Sequence, residues 1–580
     1  MGSPSTGGDS PGHLPHPNVS DRCIAMTALL KIDQLANRLG LSAADWEPRG
    51  WHQAKLALDC ATRWQHRPQG RLIGVTAINP TPLGEGKTVV TIGLAMALCR
   101  LGQTAIATLR QPSLAPVFGI KGGGAGGGRA TLEPASDINL HFTGDLHAVA
   151  AAHNLLAALV DNHSRRGQAP RLSPESITWR RVIDCSDKGL SQIVTGLGHH
   201  PQAPVRETGF DLTAASEVMA IVALARDLAD CRERLARMVV GHTPDQQPVT
   251  PADLGVTDAL LALLRDALRP NLVQTCEGTP ALVHAGPFAN IAHGNSSVLA
   301  DLAASRLAPF VVTESGFGAD CGAEKLLHIK CPLSGLVPRV EVLVCTLRAL
   351  KLHSGLFDVR PGQPLPPGLL QPNEPALRAG LANLQAHLDL LHAFQLPVIV
   401  AVNRFPEDTS EELELLLQLA RDAGAEGVAP VDVFAQGGAG ALELARQVVE
   451  LSAQPSRFAP LYLPSDSLDE KLRRVATRVY GAGGVRLEPR AQKQLEQLNQ
   501  AGHGRLPVCI AKTQYSLSHD PQLLGRPGGF MVPIRELRLA AGAGFVYALA
   551  GEISTLPGLP PNPAARRIRV MADGTIEGLS

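Results

Sequence analysis

The chain has 580 residues, long enough for roughly three or four domain-sized units sharing more than one core. Lys+Arg and Asp+Glu both number 53, so formal net charge is zero, which argues against a nucleic-acid binder held by bulk positive charge. With 44% apolar and 18% charged residues the chain is not a disordered one, and no apolar run reaches the length of a membrane-spanning helix.

Met1–Ser20 carries four Gly, four Pro and four Ser without hydrophobic periodicity, and neither a basic nor an apolar signal region. A disordered extension over 1–26 is expected, with Met26 as a candidate start and helix-like sequence from Leu29. The lack of a targeting signal favours the cytoplasm. The ten cysteines include no C-x-x-C pair and read as reduced, mostly buried thiols. His141, His147 and His153 are six apart, which does not place them on one helical face, so they read as local structure or substrate contacts and not metal ligands.

Leu72–Asn79 is short, apolar and rich in β-branched residues, as a buried strand is. The turn Thr81-Pro82-Leu83-Gly84-Glu85-Gly86-Lys87-Thr88 follows, then helical spacing over Val89–Leu101 and a second strand, Thr104–Leu109. That context suits a phosphate-binding loop, although Thr81 stands where the motif has its first Gly. Backbone N–H groups there would face an anion, Lys87 would follow a phosphoryl group, and Thr88 would offer a hydroxyl to Mg²⁺. Arg110 closes the second strand, where ligands of α/β proteins gather, and Lys121 precedes six glycines in Gly122–Gly128, a run free to adopt positive φ.

The blocks Asn79–Thr88, Arg110–Gly127 (RQPSLAPVFGIKGGGAGG), Asp137–Asp145, Arg206–Ile221, Pro270–Ser297, Val312–Lys330 and Ala511–His519 resemble formate–tetrahydrofolate ligase of the monofunctional bacterial type. The likeness runs from about Leu29 to Ser580. It implies ATP-dependent ligation of formate to tetrahydrofolate through formyl phosphate, giving 10-formyltetrahydrofolate, ADP and phosphate. It also implies Mg²⁺, a monovalent cation (K⁺ or NH₄⁺), and a homotetramer with no nucleic-acid or membrane partner. By that likeness residues 81–88 would hold the triphosphate and Arg110 would hold formate and then formyl phosphate, with Lys87, Arg110 and Gln111 catalytic. Phe405 and Phe434 would stack on the pterin, Phe317 would stand nearby, and Asp145 would address its polar edge.

Several family positions differ. Gln111 replaces Glu, Phe434 replaces Trp, Gln436 replaces Lys, Ala115 replaces Gly, Leu352-His353-Ser354-Gly355 replaces Met-His-Gly-Gly, and Arg49-Gly50-Trp51 replaces Tyr-Gly-Lys. Phe for Trp keeps a stacking face; Gln for Glu removes a negative charge beside the formyl phosphate site. A divergent paralogue that binds ATP or folate with lost or altered ligase activity therefore remains an alternative, as does a nucleotide-driven switch that uses only residues 84–88.

The remaining segments complete an α/β expectation: a nucleotide core with mixed, largely parallel sheet and smaller α/β units. Gln395–Asn403 and Val428–Phe434 read as strands around a helix at Ser410–Ala423, with Ser410, Glu411 and Glu412 suiting its N-terminus, and Leu212–Val240 reads as one or two long helices. The prolines at 361–367 suggest a boundary, giving 27–360 (nucleotide and formyl phosphate), 361–460 (folate-contacting) and 461–580 as units.

Overall fold

The computed structural model describes residues 29–82, 84–119, 123–198, 204–290, 292–359, 365–551 and 555–579. The expected extension at 1–26, and Leu83, Lys121 and Gly122, lie outside them. Among the described residues a 12-stranded sheet organises the chain. Its strands are β1 (Trp46–Pro48), β2 (Ala54–Leu56), β3 (Arg71–Ala77), β4 (Ala105–Leu109), β5 (Gly126–Gly127), β6 (Ala130–Glu133), β7 (Asn271–Thr275), β8 (Pro280–Val283), β9 (Phe310–Glu314), β10 (Pro338–Cys345), β11 (Val398–Asn403) and β12 (Gly427–Val431). The spatial order is β1-β2-β7-β8-β4-β9-β3-β10-β11-β12, with the β5–β6 hairpin attached to β7. From β8 through β12 every pairing in that order is parallel; β1, β2, β5, β6 and β7 pair antiparallel.

The parallel strands are apolar almost without interruption because both faces are covered. Side chains alternate between them. On β10, Val340, Val342 and Val344 face one core, which also takes Ile399 and Ala401 of β11 and helix α1 (Lys87–Arg100). Leu343 and Cys345 face another, with Val398, Val400 and Val402.

The division expected at 360 does not separate two sheets. β10 and β11 lie on either side of it and pair directly from Glu341↔Val398 to Cys345↔Val402. Residues 361–460 thus continue the large sheet, contributing α3 (Glu374–Ala393; α2 is Asp145–Arg166), β11, α4 (Ser410–Asp422) and β12. The C-terminal block has its own sheet, β13 (Gly484–Leu487), β14 (Val508–Ala511), β15 (Met531–Ala540) and β16 (Phe545–Ala550), in the order β13-β15-β16-β14. Its apolar face, with Val532 and Ile510, joins the core of Leu343 and Val400.

Two local expectations shift. Thr409, and not Ser410, caps α4, its hydroxyl accepting from the Glu412 N–H. The helical segment 212–240 resolves into Glu217–Leu224 and Leu228–Ala236, because Asp227 caps a new start by accepting from the Asp230 N–H.

Glu341 of β10 sits beside Gly74 of β3, where a Cβ would lie 2.1 Å from its carboxyl oxygen. The carboxyl is fully buried and neither oxygen has a hydrogen-bond partner, so burial pushes its pKa up to about 8. The folded state therefore holds a proton that the unfolded chain releases above its ordinary value of 4.5. Stability is lost as pH rises from there through about 8. Thermal melts from pH 5 to 8.5 should show Glu341→Gln gaining on the wild type as pH rises; parallel melting curves would refute this.

Candidate active site

The turn after β3 is built by two glycines in the left-handed region, Gly84 (φ +81) and Gly86 (φ +76). At Gly86 a Cβ would lie 2.5 Å from the Asn403 amide nitrogen. Glu85 is buried and fixes the turn from within. One carboxylate oxygen accepts from the Thr81 N–H at 2.7 Å, and the other accepts from the Thr346 hydroxyl and, at 3.5 Å, from Arg348 Nε. Its carbonyl accepts from Asn403 Nδ2 at 3.0 Å. Thr346 follows β10 and Asn403 ends β11, so the neighbouring strands hold the turn in place. Immediately after it α1 begins at Lys87 and presents unpaired N–H groups.

Around that helix start the strands deliver a compact group of charges. Glu314, the last residue of β9, accepts from the Thr88 hydroxyl at 2.6 Å and from Arg110 Nη2 at 2.9 Å. Arg110 also donates to the Pro287 carbonyl at 3.3 Å, while its buried Nε has no partner. Burial opposes the Glu314 carboxylate, but Arg110, the Thr88 hydroxyl and Lys87 outweigh it and hold its pKa below the ordinary value. Burial pushes the Lys87 ammonium down; Glu314 opposes that shift and Arg110 adds to it. With Arg348, three cations face two carboxylates, an excess that favours an anion. Ala285 (φ +53) and Phe317 (φ +58) are non-glycine residues in the left-handed region beside this group, as strained backbone at functional sites often is.

The family model described as formate–tetrahydrofolate ligase matches residues 19–580. Proteins of that name from Roseiflexus sp. (strain RS-1) and Paracoccus denitrificans are each 54% identical, over 97% and 95% of this chain and 100% and 98% of their own length. The one from Bacillus licheniformis is 49% identical over 97% of this chain and 99% of its own. The chain belongs to the formate–tetrahydrofolate ligase family.

Across the sheet Glu314 and several of the residues expected of this ligase-family chain fall in a row, because each lies at or just after the carboxyl end of a parallel strand. Arg110 follows β4, Glu314 ends β9, the 81–88 turn follows β3, Phe405 follows β11 and Phe434 follows β12. Glu314 is the site residue that sequence reasoning missed; its block was read, but no local motif marks it. Asp145 lies apart from the two phenylalanines expected to stack on the pterin. It opens α2, forms a buried ion pair with Lys55 at 2.5 Å and accepts from Asn271 Nδ2 at 2.7 Å. Asn271 starts β7, six strand positions from β11, or roughly 29 Å at a sheet spacing near 4.8 Å.

The two rings have different seats. Phe405 lies under the Arg348 guanidinium, 3.7 Å from ring centroid to Cζ. Phe434 is 56% exposed and rests on the glycine hairpin: a Cβ at Gly127 would lie 3.2 Å from its ring, and its carbonyl accepts from the Arg129 N–H. Gln111 is only 3% exposed; its N–H donates to the Ala285 carbonyl, but neither side-chain amide atom has a partner. Gln436 bonds Asp432 at the surface, Ala115 is buried, the Ser354 hydroxyl donates to the Lys351 carbonyl, and Trp51 is 73% exposed beneath the Lys31 ammonium. His153 is buried against Trp179. Among the described residues no group of three His, Cys, Asp or Glu is placed to hold a metal, and no helix is long and apolar enough to cross a membrane.

Beneath the turn, Asn79 anchors a buried polar network. Its side chain donates to Asp320 Oδ1 and accepts from Asn383 Nδ2 at 3.0 Å, and its carbonyl meets His353 Nε2 at 3.0 Å. Asp320 in turn pairs with Lys512 of the C-terminal block at 2.5 Å. Removing one member of such a pair leaves a buried charge alone. Asp320→Asn should therefore lower unfolding free energy by about 3–5 kcal/mol in denaturant titrations. Asp320→Leu combined with Lys512→Met should recover much of that loss, and an additive double variant would contradict the pairing.

Proposed function

We propose that this chain is an ATP-dependent ligase that joins formate to tetrahydrofolate, releasing ADP and phosphate. The observation that carries the reading is full-length membership of the ligase family, together with the Lys87–Glu314–Arg110 cluster at the carboxyl edge of the parallel sheet. In this reading the turn is a P-loop. Thr81, Pro82, Gly84, Glu85 and Gly86 enclose the triphosphate, the α1 N–H groups and Lys87 neutralise it, and Arg110 grips formate. A formate oxygen attacks the γ-phosphorus and ADP leaves with the bonding pair; N10 of tetrahydrofolate then attacks the formyl carbon and phosphate departs. No protein nucleophile is needed, so positioning and charge carry the chemistry.

The oxygen donors of Thr88 and Glu314 suit a hard cation, and they are the residues that would hold Mg²⁺. Bound there, the metal would offset charge on the phosphate oxygens. On the folate side Phe405 offers the ring face opposite Arg348, while Phe434 offers further apolar surface. The same reading includes activation by K⁺ or NH₄⁺, a homotetramer and a cytoplasmic setting.

A coupled assay with Mg-ATP, formate, tetrahydrofolate and K⁺, read after acid conversion of product to methenyltetrahydrofolate, tests it. Product should require all three substrates and vanish in Lys87→Ala; ATP hydrolysis indifferent to formate and folate would sink the reading. Glu314→Gln should lower kcat/KM by about 10–100-fold through loss of the shared hold on Thr88 and Arg110. Gln111→Glu should change turnover by less than about tenfold, well short of the 10²–10⁴ expected of a general base, because the present side chain bonds neither Lys87 nor Arg110.

A further inference from the structure

Arg348 stands between the two halves of the site. It lies three residues beyond the end of β10, the strand that separates β3, which leads into the turn, from β11, which leads into Phe405. One guanidinium serves both sides. Its Nη2 donates to the Gly84 carbonyl and its Nε reaches Glu85 Oε2 at 3.5 Å, while its plane covers the Phe405 ring at 3.7 Å. The backbone under that ring is fixed as well: the Phe405 N–H donates to Asp408 Oδ2 at 2.8 Å, and the Asp408 N–H returns to the Phe405 carbonyl at 3.0 Å.

We propose that Arg348 is a positioning residue that couples the two binding events, setting the Gly84–Glu85 turn against the Phe405 ring so that nucleotide and tetrahydrofolate each tighten the other's binding. The inference rests on the reading above that the turn takes ATP and that Phe405 meets the pterin. Gly84 has no side chain to anchor it, and Glu85 Oε2 is shared between Thr346 and Arg348, so any adjustment of the turn around a polyphosphate moves the acceptors Arg348 holds. The guanidinium carries that adjustment to the ring. A lysine cannot replace it, because an ammonium lacks the planar fork that bonds at its edge while stacking through its face. Coupling of this kind is reciprocal: the factor by which ATP tightens folate binding equals the factor by which folate tightens ATP binding.

Titration calorimetry of tetrahydrofolate under anaerobic conditions, without formate so that no chemistry follows, tests this on the full chain with and without Mg-ATP. In the wild type Mg-ATP should lower the tetrahydrofolate Kd by about fivefold or more, the low end of measured couplings. In Arg348→Lys and Arg348→Ala that factor should fall to near one, while each ligand still binds alone. Arg348→Lys keeps charge and stem should the alanine variant fail to fold. A wild type without the factor, or an Arg348→Lys protein that keeps it, overturns the proposal. Phe405→Leu separates this from the underlying reading: unchanged tetrahydrofolate affinity there rejects Phe405 as a folate contact, whereas weakened affinity with coupling intact in the Arg348 variants rejects Arg348 alone.

Discussion

The carboxylate of Glu314 is the counter-charge on which the rest of the site depends. Lys87 and Arg110 follow β3 and β4, two strands with only β9 between them, and would repel one another in a partly buried space. Glu314 rises from β9, the strand between them, bonds Arg110 and Thr88, and opposes the downward push that burial gives the Lys87 ammonium. It is one negative charge against two positive ones, which leaves the pocket attractive to a phosphate without leaving it unstable when open. The sheet makes this possible. Seven parallel strands end on one edge, so residues more than 300 positions apart in the chain stand a strand spacing or two from each other.

Much of this edge was legible in the sequence, and the reasons differ by residue. The β3–turn–α1–β4 unit declares itself locally: a β-branched run, glycines at the positions that need positive φ, then helical periodicity. β11, α4 and β12 declare themselves in the same way, within a few residues of the expected ends. Glu314 and Arg348 carry no local signal, because a carboxylate after a strand and an arginine opening a short helix acquire meaning only from strand order. The buried pair of Asp145 and Lys55 was not legible at all, because Lys55 lies 90 residues earlier and nothing in the intervening sequence announces it. The direct pairing of β10 with β11, on either side of the prolines, was not legible either, because pairing across a connection cannot be read from its composition.

The C-terminal block has a sheet of its own yet is tied closely to the turn between β3 and α1. Apolar contact joins it to the face of β10 and β11, and the Lys512–Asp320–Asn79 relay runs from its core to the residue just before the turn. Such a relay is costly to bury and specific in geometry, so it fixes orientation more than it adds stability. The block acts as a brace that holds Asn79, and with it the entry to the turn, at one height above the sheet.

The glycine hairpin has a consequence for how this ligase can vary. At Gly128 a Cβ would lie 2.2 Å from the Phe434 carbonyl and 2.8 Å from its ring, so the hairpin is a floor set by bare backbone. Above that floor the ring is open to solvent. A wider aromatic at 434 has room to grow outward without disturbing anything beneath it, whereas the smallest side chain at 128 would dislodge the ring. Ring size and backbone clearance are thus decoupled on this side of the sheet, and the exposed aromatic face can be enlarged by one substitution with no repacking.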